Sequence, residues 1–522
     1  MNKFSLALTY FVMAACSAFA GDWSQGAGPT YNFRTTESAP IKWSVVNNQN
    51  IIWKITKPET GQGIPVISNG KVFFSSMKEL PGDAELGKDI IAWCCDANTG
   101  KVLWQKTIEG GHLTRLSGCF TDASAPPPLV TGESIIFTNS SGRITCFDLN
   151  GEVIWTKKQL SVGRTLPFLH KGNYVYTRQT YWPDEKGHFP HKREDTSLKS
   201  WTQLEALDVK TGKPVWNSTC GVNMGCAITL QKLSDGKEVI VCGRGGGHGP
   251  PEKPHGISLI DAKDGKTLWT LPLEKFMATQ TFSIYNDQVH LFHEDEHLSV
   301  DAKTGKIVKK VNFLKDVPIR KMVDGKRTTV TDSIKKTKSR MITQTSNLLV
   351  GKYHYFRSYT MPYLGRVNVE TGKVEYLELP LQLKREAGEQ DQFKWYSTKA
   401  TDTNSKKKKK PAAVNTQYFV PNELKNSRGF TVFGDKRSKG NGWGHVAAAV
   451  PSVAGDHLYV PVMCGTVYVI KWNAESLDES AVAAINDLGP AGKSFTRATL
   501  TFANGKIYAH TIREVICIGE KQ

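Results

Sequence analysis

The stretch that decides the fold is IIAWCCDANTGKVLWQ, residues 90–105. An apolar run ends at Asp96, Gly100 and Lys101 follow, and a second apolar run ends at Trp104. Short runs of this kind around a turn predict two β-strands. The glycine supplies the left-handed backbone conformation that such a turn requires. Because Trp104 is large and apolar, we expect it to pack this hairpin against a neighbouring sheet.

The same pattern recurs along the chain, which makes it a repeat rather than an isolated hairpin. Successive turn glycines lie 40 to 67 residues apart, at positions 100, 151, 212, 265, 305 and 372. A second hairpin precedes each copy, so that one unit contains four short strands. The chain holds about eight such units, near residues 64–104, 126–155, 170–216, 227–269, 279–311, 345–376, 447–472 and 497–520.

Eight four-stranded units predict an all-β, eight-bladed β-propeller. The stretch Asn50–Trp53 resembles the outer strand of a unit whose inner strands come last, at residues 506–518. We therefore expect N- and C-terminal strands to close the ring within one sheet. The alternative is a linear solenoid, which would need atypical capping units at both ends.

The repeated Asp-Ala-x-Thr-Gly-Lys-x-x-Trp motif resembles the pyrroloquinoline quinone (PQQ)-like propeller repeat. The stretches Asp22–Pro29, Ile41–Trp43 and Ile52–Trp53 are similar to a group of exported bacterial PQQ-like propeller proteins. The resemblance covers nearly all of residues 21–522, and it implies two different functions. Some relatives are quinoprotein alcohol dehydrogenases. Others, such as the propeller lipoprotein of the outer-membrane β-barrel assembly machinery, bind no quinone.

The first 20 residues have the pattern of a signal peptide. A basic start is followed by an apolar run, residues 4–15, which is too short to span a bilayer. Ala18 and Ala20 form an A-x-A cleavage site, so we expect a mature protein of residues 21–522 in the periplasm or outside the cell. The alternative is lipidation at Cys16, which would tether the protein to a membrane.

Composition indicates two loop insertions and a basic surface. Residues of about 180–200 and 381–446 are polar and lack strand periodicity, so we expect long loops on one rim, where binding usually occurs. The formal charge of +18 would attract anions. Expected partners are an envelope protein or an anionic glycan, and export argues against nucleic acid as a ligand. We expect a monomer.

The adjacent cysteines Cys94 and Cys95 are a candidate cofactor-binding pair. The resemblance supplies this hypothesis, because a vicinal disulfide lies over the quinone in quinoprotein alcohol dehydrogenases. Their position in the repeat favours a strand with one thiol on each face. Of the nine cysteines that remain after cleavage, Cys220 and Cys226 are the closest non-adjacent pair and could form a disulfide.

Two further clusters could bind ligands. Arg244, His248 and His255 lie in a glycine-rich stretch, residues 243–256, whose backbone amides could hold an anion or cofactor. The residues His293, Glu294 and His297 could bind a divalent metal ion, although the repeat places them at a solvated hairpin turn. We assign no catalytic residue.

The function that the sequence favours is a non-catalytic binding or scaffolding propeller of the cell envelope, with no cofactor. The alternative is a quinoprotein oxidoreductase that uses PQQ and Ca²⁺ to oxidise alcohols or sugars. A third hypothesis, which only the positive charge supports, is an enzyme acting on anionic polysaccharide.

Overall fold

The structure is a ring of eight four-stranded antiparallel sheets, which confirms the predicted eight-bladed propeller. The computed structural model describes residues 21–116, 122–163, 166–188, 200–223, 225–245, 252–334, 343, 345–358, 361–397, 399, 417–433 and 449–520. Among these residues, no helix is long and apolar enough to cross a membrane.

The blades are numbered 1 to 8 along the chain, and the four strands of each blade are named in order from the innermost to the outermost. Blades 1 to 4 consist of Val66–Ser68, Lys71–Met77, Ile90–Asp96 and Val102–Ile108; Leu129–Val130, Ser134–Asn139, Arg143–Asp148 and Val153–Lys158; Phe168–His170, Asn173–Gln179, Thr202–Asp208 and Pro214–Asn217; Thr229–Lys232, Glu238–Arg244, Gly256–Asp261 and Thr267–Pro272. Blades 5 to 8 consist of Ser283–Tyr285, Gln288–His293, Glu296–Asp301 and Ile307–Asn312; Asn347–Val350, Tyr353–Arg357, Tyr363–Asn368 and Val374–Glu378; Ser452–Ala454, His457–Pro461, Thr466–Lys471 and Val482–Asp487; Thr501–Ala503, Lys506–His510, Glu514–Ile518 and Ile51–Thr56.

Several short elements are added to this ring. A hairpin extends blade 6 on its outer edge, Arg34–Thr35 pairs in parallel with the inner strand of blade 7, and two further pairs lie outside the blades. The added strands are Val317–Val323 with Lys326–Asp332, Arg34–Thr35, Leu86–Gly87 with Thr114–Arg115, and Gln382–Lys384 with Gln392–Lys394. A 3-10 helix, Glu479–Ala481, precedes the outer strand of blade 7.

Blade 8 closes the ring as the sequence predicts. Its outer strand Ile51–Thr56 pairs antiparallel with Glu514–Ile518, the last strand of the chain. Strands from both ends of the chain thus share one sheet, and the alternative of an open solenoid is wrong. Because each sheet buries one face against the preceding blade and the other against the following blade, the apolar core lies between blades.

A tryptophan on the outer strand fixes each of five consecutive blade interfaces. Trp104 of blade 1 packs against Gly151 in the turn of blade 2, and its indole Nε1 donates a hydrogen bond to the carbonyl of Leu149 at 3.2 Å. A side chain on that glycine would meet the ring at 3.0 Å, so glycine is required there for close approach as well as for its positive φ. The same tryptophan–glycine contact joins Trp53 to Gly100, Trp155 to Gly212, Trp216 to Gly265 and Trp269 to Gly305. The predicted role of Trp104 is confirmed.

Strand direction gives the ring two different rims. The turn rim carries the short turns between the first and second strands and between the third and fourth strands of each blade. The loop rim carries the connections between second and third strands and the connections between blades. Both insertions, residues 180–200 within blade 3 and 381–446 between blades 6 and 7, start and end at the loop rim.

Candidate binding site at the loop rim

Residues 417–433, the second described part of the long insertion, lie across the loop-rim ends of blades 8 and 1. The Arg428 guanidinium bonds to a carboxylate oxygen of Glu59 at 3.1 Å, and the Asn426 amide donates to both oxygens of Glu59 at 3.2 Å. Arg513 of blade 8 donates to the carbonyl of Lys425 at 2.8 Å. A buried carboxylate that lacked these donors would be costly, so the contacts hold the insertion in place on the ring.

A pocket of about 450 Å³ opens where this segment meets the loop after the second strand of blade 1. Phe430, Val432 and Phe433 form its apolar part, and Asp83 and Glu85 lie on the opposite side. Phe430 is 43% exposed although it is aromatic. The pocket is therefore open and amphipathic, a shape suited to a side chain or short segment of another molecule.

Three exposed aromatic rings on loop-rim connections each have a cationic side chain above them. Lys158 lies 4.8 Å above the ring of Trp182, Lys394 lies 5.2 Å above Phe419, and Arg428 lies 5.1 Å above Phe430. The three rings are 42% to 43% exposed. Cation–π contacts stabilise such rings in an ordered position at the surface. The loop rim thus presents rigid aromatic faces next to positive charge.

Under the insertion lies a buried group of ionisable residues that the sequence analysis missed. Lys57 donates to the carbonyl of Thr511 at 2.8 Å, and burial lowers its pKa to about 7 against the opposing carboxylates of Asp122, Glu514 and Glu59. Burial raises the pKa of Asp122 to about 6, although hydrogen bonds from Ser124 lower it.

His510 completes this group from the loop-rim end of blade 8. Its Nδ1 is 2.6 Å from the carbonyl of Gly63, and burial holds its pKa well below the usual value, with Lys57 acting in the same direction. The side chains of Lys57, Asp122 and His510 are at most 1% exposed. Buried in this way, they can join the blade ends to one another but cannot reach a substrate. No local sequence motif could have identified them, because they come from two connections and one strand end that are far apart in the sequence.

The structure places Cys94 and Cys95 near the turn-rim end of the third strand of blade 1, away from the loop rim. Both are fully buried and carry free thiols, and burial raises the pKa of each to about 12. Cys94 packs toward blade 2 and Cys95 toward blade 8. A β-bulge separates them, and similar bulges occur at the corresponding positions of blades 2 to 5.

Arg244 joins the described parts of the glycine-rich stretch, residues 243–245 and 252–256, to each other. The Arg244 guanidinium donates to the carbonyl of Pro254 at 3.1 Å, to that of Gly221 at 3.2 Å, and to that of Lys253. It is 6% exposed. His255 is half-buried against Gly245, and His248 lies outside the described residues. The Arg244 side chain therefore stabilises its own loop.

The structure separates the residues proposed to bind a metal ion. His293 pairs with Glu296 and Phe292 pairs with His297 across the hairpin of blade 5. Adjacent pairs face opposite sides of a sheet. His297 is accordingly buried with its Nε2 2.9 Å from Nδ1 of His354, whereas His293 contacts the carbonyl of Glu274 at the surface. Glu294 occupies the turn with a φ of 54°. Among the described residues, no three His, Cys, Asp or Glu side chains are placed to hold a metal ion.

The suggested disulfide between Cys220 and Cys226 is not present. Both thiols are free, and the Cys226 thiol donates to the carbonyl of Asn223 at 3.2 Å. Cys220 instead lies beside Cys242, whose thiol donates a hydrogen bond to it and lowers its pKa. Proximity in sequence was a poor guide to this contact because Cys220 lies in the connection between blades 3 and 4, whereas Cys242 lies in the second strand of blade 4.

Comparison with known proteins supports the resemblance found in the sequence. Residues 86–218 match the family described as outer membrane protein assembly factor BamB, and no curated protein matches the chain. A europium-containing methanol dehydrogenase aligns with a TM-score of 0.52 at 10% identity, over 96% of this chain and 98% of that one.

Two further solved structures align over most of the chain. Quinohemoprotein alcohol dehydrogenase from Comamonas testosteroni has a TM-score of 0.51 at 12% identity, over 97% of this chain and 82% of that one. BamB from Moraxella catarrhalis has a TM-score of 0.46 at 11% identity, over 90% and 98%. At these identities the two dehydrogenase alignments, with TM-scores above 0.5, establish the propeller fold and nothing about activity.

Cys94 and Cys95, the residues that the resemblance offers for a quinone site, do not fit that role. Cys94 and Cys95 face two different blade interfaces, so neither sulfur is available to cover a ligand. Of the buried carboxylates near the loop rim, Glu59 accepts hydrogen bonds from Arg428 and Asn426, whereas Asp122, among the described residues, accepts from Ser124 at Oδ1 alone. We therefore derive no reaction that passes through a quinone.

Proposed function

We propose that this protein is a non-catalytic binding propeller of the cell envelope, which holds a partner protein against its loop rim. The observation that carries the proposal is the set of exposed aromatic rings with stacked cations, Trp182, Phe419 and Phe430. Aromatic and arginine side chains are enriched at the centres of protein interfaces. Two of these aromatic residues, Phe419 and Phe430, lie in the insertion. The insertion is attached to the propeller through the contacts of Asn426 and Arg428 with Glu59.

The chemistry of the rim specifies the kind of partner. Lys158, Lys394 and Arg428 give the aromatic faces a positive surround, so the partner surface is acidic with apolar side chains that reach the rings. The match of residues 86–218 to an assembly-factor family supports a protein partner. Export through residues 1–20 would place the complex in the periplasm, with release or lipid anchoring decided by cleavage after Ala20 or lipidation at Cys16.

Photo-crosslinking in the native cell tests this proposal. A photoreactive amino acid would be placed at Phe419 or Phe430 on the loop rim, and at Val153 or Val215 as controls. The control residues are 58% and 52% exposed at the start of outer strands, next to the turn rim. We expect one envelope protein to crosslink at the loop-rim positions, to be lost when Lys158 and Lys394 are both changed to Glu, and to be absent at the controls.

The contrary result would be equal crosslinking at both rims, or none at either rim in cells that express the protein. Salt provides a second readout on purified components: raising NaCl from about 0.05 M to about 0.5 M should weaken the complex at least about tenfold, because exposed charges are screened. A complex insensitive to salt would contradict the acidic character of the partner.

A further inference from the structure

A second pocket lies between blades 5 and 6, on the turn-rim side and far along the chain from the loop-rim residues. Its volume is about 290 Å³. Val308 and Lys309 of blade 5 form one wall, and Val369 and Glu370 in the turn of blade 6 form the other. This volume is near the lower end of the range for small-molecule sites.

The pocket exists because Lys309 occupies the position that tryptophan has in the five preceding interfaces. Counting four residues beyond the turn glycine reaches Trp269 in blade 4 but Lys309 in blade 5. The Trp269 indole donates to the carbonyl of Ala302 at 2.8 Å. The Lys309 ammonium donates a hydrogen bond at 3.0 Å to the carbonyl of Val369, which is the residue of blade 6 that corresponds to Ala302 in blade 5. The hydrogen bond of the repeat is therefore kept, while a thin side chain replaces a flat ring and leaves a slot between two sheets.

One polar atom at the inner end of the slot is unsatisfied. His290 lines the pocket and is 1% exposed. Its Nδ1 is 3.2 Å from the hydroxyl of Ser299, but within the described part of the chain no atom hydrogen-bonds to its Nε2. A buried polar atom without a partner is costly, so this nitrogen is the natural anchor for a bound group.

The charged groups of the pocket are already engaged by the protein. The carbonyls of Val369 and Glu370 hold the Lys309 ammonium, and the Tyr285 hydroxyl donates to the Glu370 carboxylate at 2.7 Å. A charged ligand would have to compete with these contacts. Burial lowers the pKa of His290 to about 4, with Lys309 acting in the same direction and the Tyr285 backbone opposing, so the imidazole is neutral near pH 7. The pocket thus favours a neutral, flat molecule.

We propose that this slot, the inter-blade pocket, binds a small neutral nitrogen heterocycle of about the size of an indole or a purine base. The ring lies between Val308 and Val369 in the place that an indole side chain fills at the other interfaces. Its polar edge exchanges a hydrogen bond with His290 Nε2. The site is independent of the loop rim, so that its failure would leave the proposed function untouched.

Equilibrium binding on the purified full chain tests the inter-blade pocket, with indole and adenine as probes. We expect saturable one-to-one binding of at least one probe, with a Kd of about 0.1 to 1 mM for so small a ligand. Lys309→Trp refills the slot with the residue of the repeat and should weaken binding at least tenfold. Lys306→Trp, the same substitution at an exposed turn residue three positions away, is the matched control and should bind as the native chain does.

Two results would overturn the site. One is the absence of saturable binding of either probe below about 10 mM, and the other is native binding by Lys309→Trp. If that variant fails to fold, His290→Gln decides instead: a loss of binding of at least fivefold supports the anchor, and unchanged binding refutes it.

Discussion

The interface between blades 4 and 5 and the interface between blades 5 and 6 have different side chains at the same position of the repeat. At the first, Trp269 fills the space between sheets and donates to the carbonyl of Ala302. At the second, Lys309 makes the equivalent hydrogen bond to Val369 and leaves a pocket. The comparison shows that the hydrogen bond to the turn and the aromatic ring can be lost separately, because Lys309 keeps the hydrogen bond without a ring, whereas Trp216 keeps the ring without a hydrogen bond to any described residue.

Behind Lys309 the second interface contains three buried imidazoles in place of purely apolar packing. The rings of His290 and His297 are stacked with centroids 5.6 Å apart, and His297 Nε2 is 2.9 Å from Nδ1 of His354. The Asn347 side-chain oxygen, 3.1 Å from His354 Nε2, accepts the proton of that ring. His354 Nδ1 is then the acceptor and His297 Nε2 the donor of the hydrogen bond between the two rings. Burial lowers the pKa of all three histidines, so they are neutral near pH 7. The stability of this interface therefore depends on the protonation state of its histidines, whereas the tryptophan–glycine contacts contain no group that titrates.

The largest predicted effect is a loss of folding stability at acidic pH, and it arises from these three histidines. Burial holds the pKa of His290 at about 4 and those of His297 and His354 well below 6.5. Between these values the unfolded chain binds more protons than the folded one, so stability is lost as the pH falls below about 6.5. We expect a slope of about 1.4 kcal/mol per pH unit for each neutral histidine, measured by urea unfolding between pH 7 and pH 5.

A matched variant separates this effect from that of other groups. Asp122 acts in the opposite sense, because its raised pKa of about 6 makes acid stabilising between 6 and 3.8. His290→Phe should reduce the slope without removing it, while a surface control, His188→Phe, should leave it unchanged. Stability that is flat from pH 7 to pH 5 would be inconsistent with a buried neutral cluster.

The second largest effect on the free energy of unfolding is expected when the tryptophan of the first interface is replaced by the lysine of the second. Trp269→Lys should lower the free energy of unfolding by about 3 kcal/mol, because a ring that is packed on Gly305 is replaced by a thinner, charged side chain. Urea unfolding measures the change, and Lys310→Ala, an exposed residue of blade 5, provides the control. A cost below about 0.5 kcal/mol would mean that the ring contributes little to joining blades.

The insertion is joined to the propeller by an ion pair and hydrogen bonds to Glu59, and not by a tryptophan–glycine contact. This contact can be removed by a single substitution without changing any blade interface. Arg428→Ala leaves the Glu59 carboxylate, which is almost fully buried, with two neutral donors, the Asn426 amide and the Thr60 backbone N–H. We expect a loss of about 2 kcal/mol and faster proteolysis within residues 417–433. Arg513→Ala is the comparison, since it leaves all three donors to Glu59 in place. Equal protease sensitivity in native and Arg428→Ala protein would refute the anchoring role.

The smallest predicted effect is an increase in the free energy of unfolding. Lys309→Trp makes the interface of blades 5 and 6 resemble the preceding five and fills part of the 290 Å³ pocket. We expect the free energy of unfolding to rise by about 1 kcal/mol. A decrease of more than about 1 kcal/mol would show that His290 and Lys309 need each other for packing, and that this interface cannot accept the repeat residue.

The sequence predicted the parts of the fold that depend on local pattern. The turn glycines, the alternating strands and the tryptophans up to Trp269 indicated the blade count, and Asn50–Trp53 indicated the closure. The pattern weakens after Lys309, and the added hairpin Val317–Asp332 was not foreseen, because its strands are amphipathic and exposed rather than part of the repeat.

The candidate sites could be predicted only in part, because their members meet through the ring closure and the blade interfaces. Lys57, Asp122 and His510 have no common motif, and they come together because blades 8, 1 and 2 are neighbours. His293 and His297 are close in sequence, but hairpin pairing sends them to opposite faces. The exposure of Phe430 and its cation depends on where the insertion lies, which composition alone does not specify.

The central claim is that the ring binds a partner and does not use a quinone. The measurement that tests it most directly is reconstitution of the purified protein, residues 21–522, with PQQ and Ca²⁺, followed by desalting, an absorbance spectrum and dye reduction with alcohols and sugars. We predict a protein spectrum alone and no substrate-dependent reduction. Retained quinone together with substrate-dependent dye reduction would contradict the claim and make the protein an oxidoreductase.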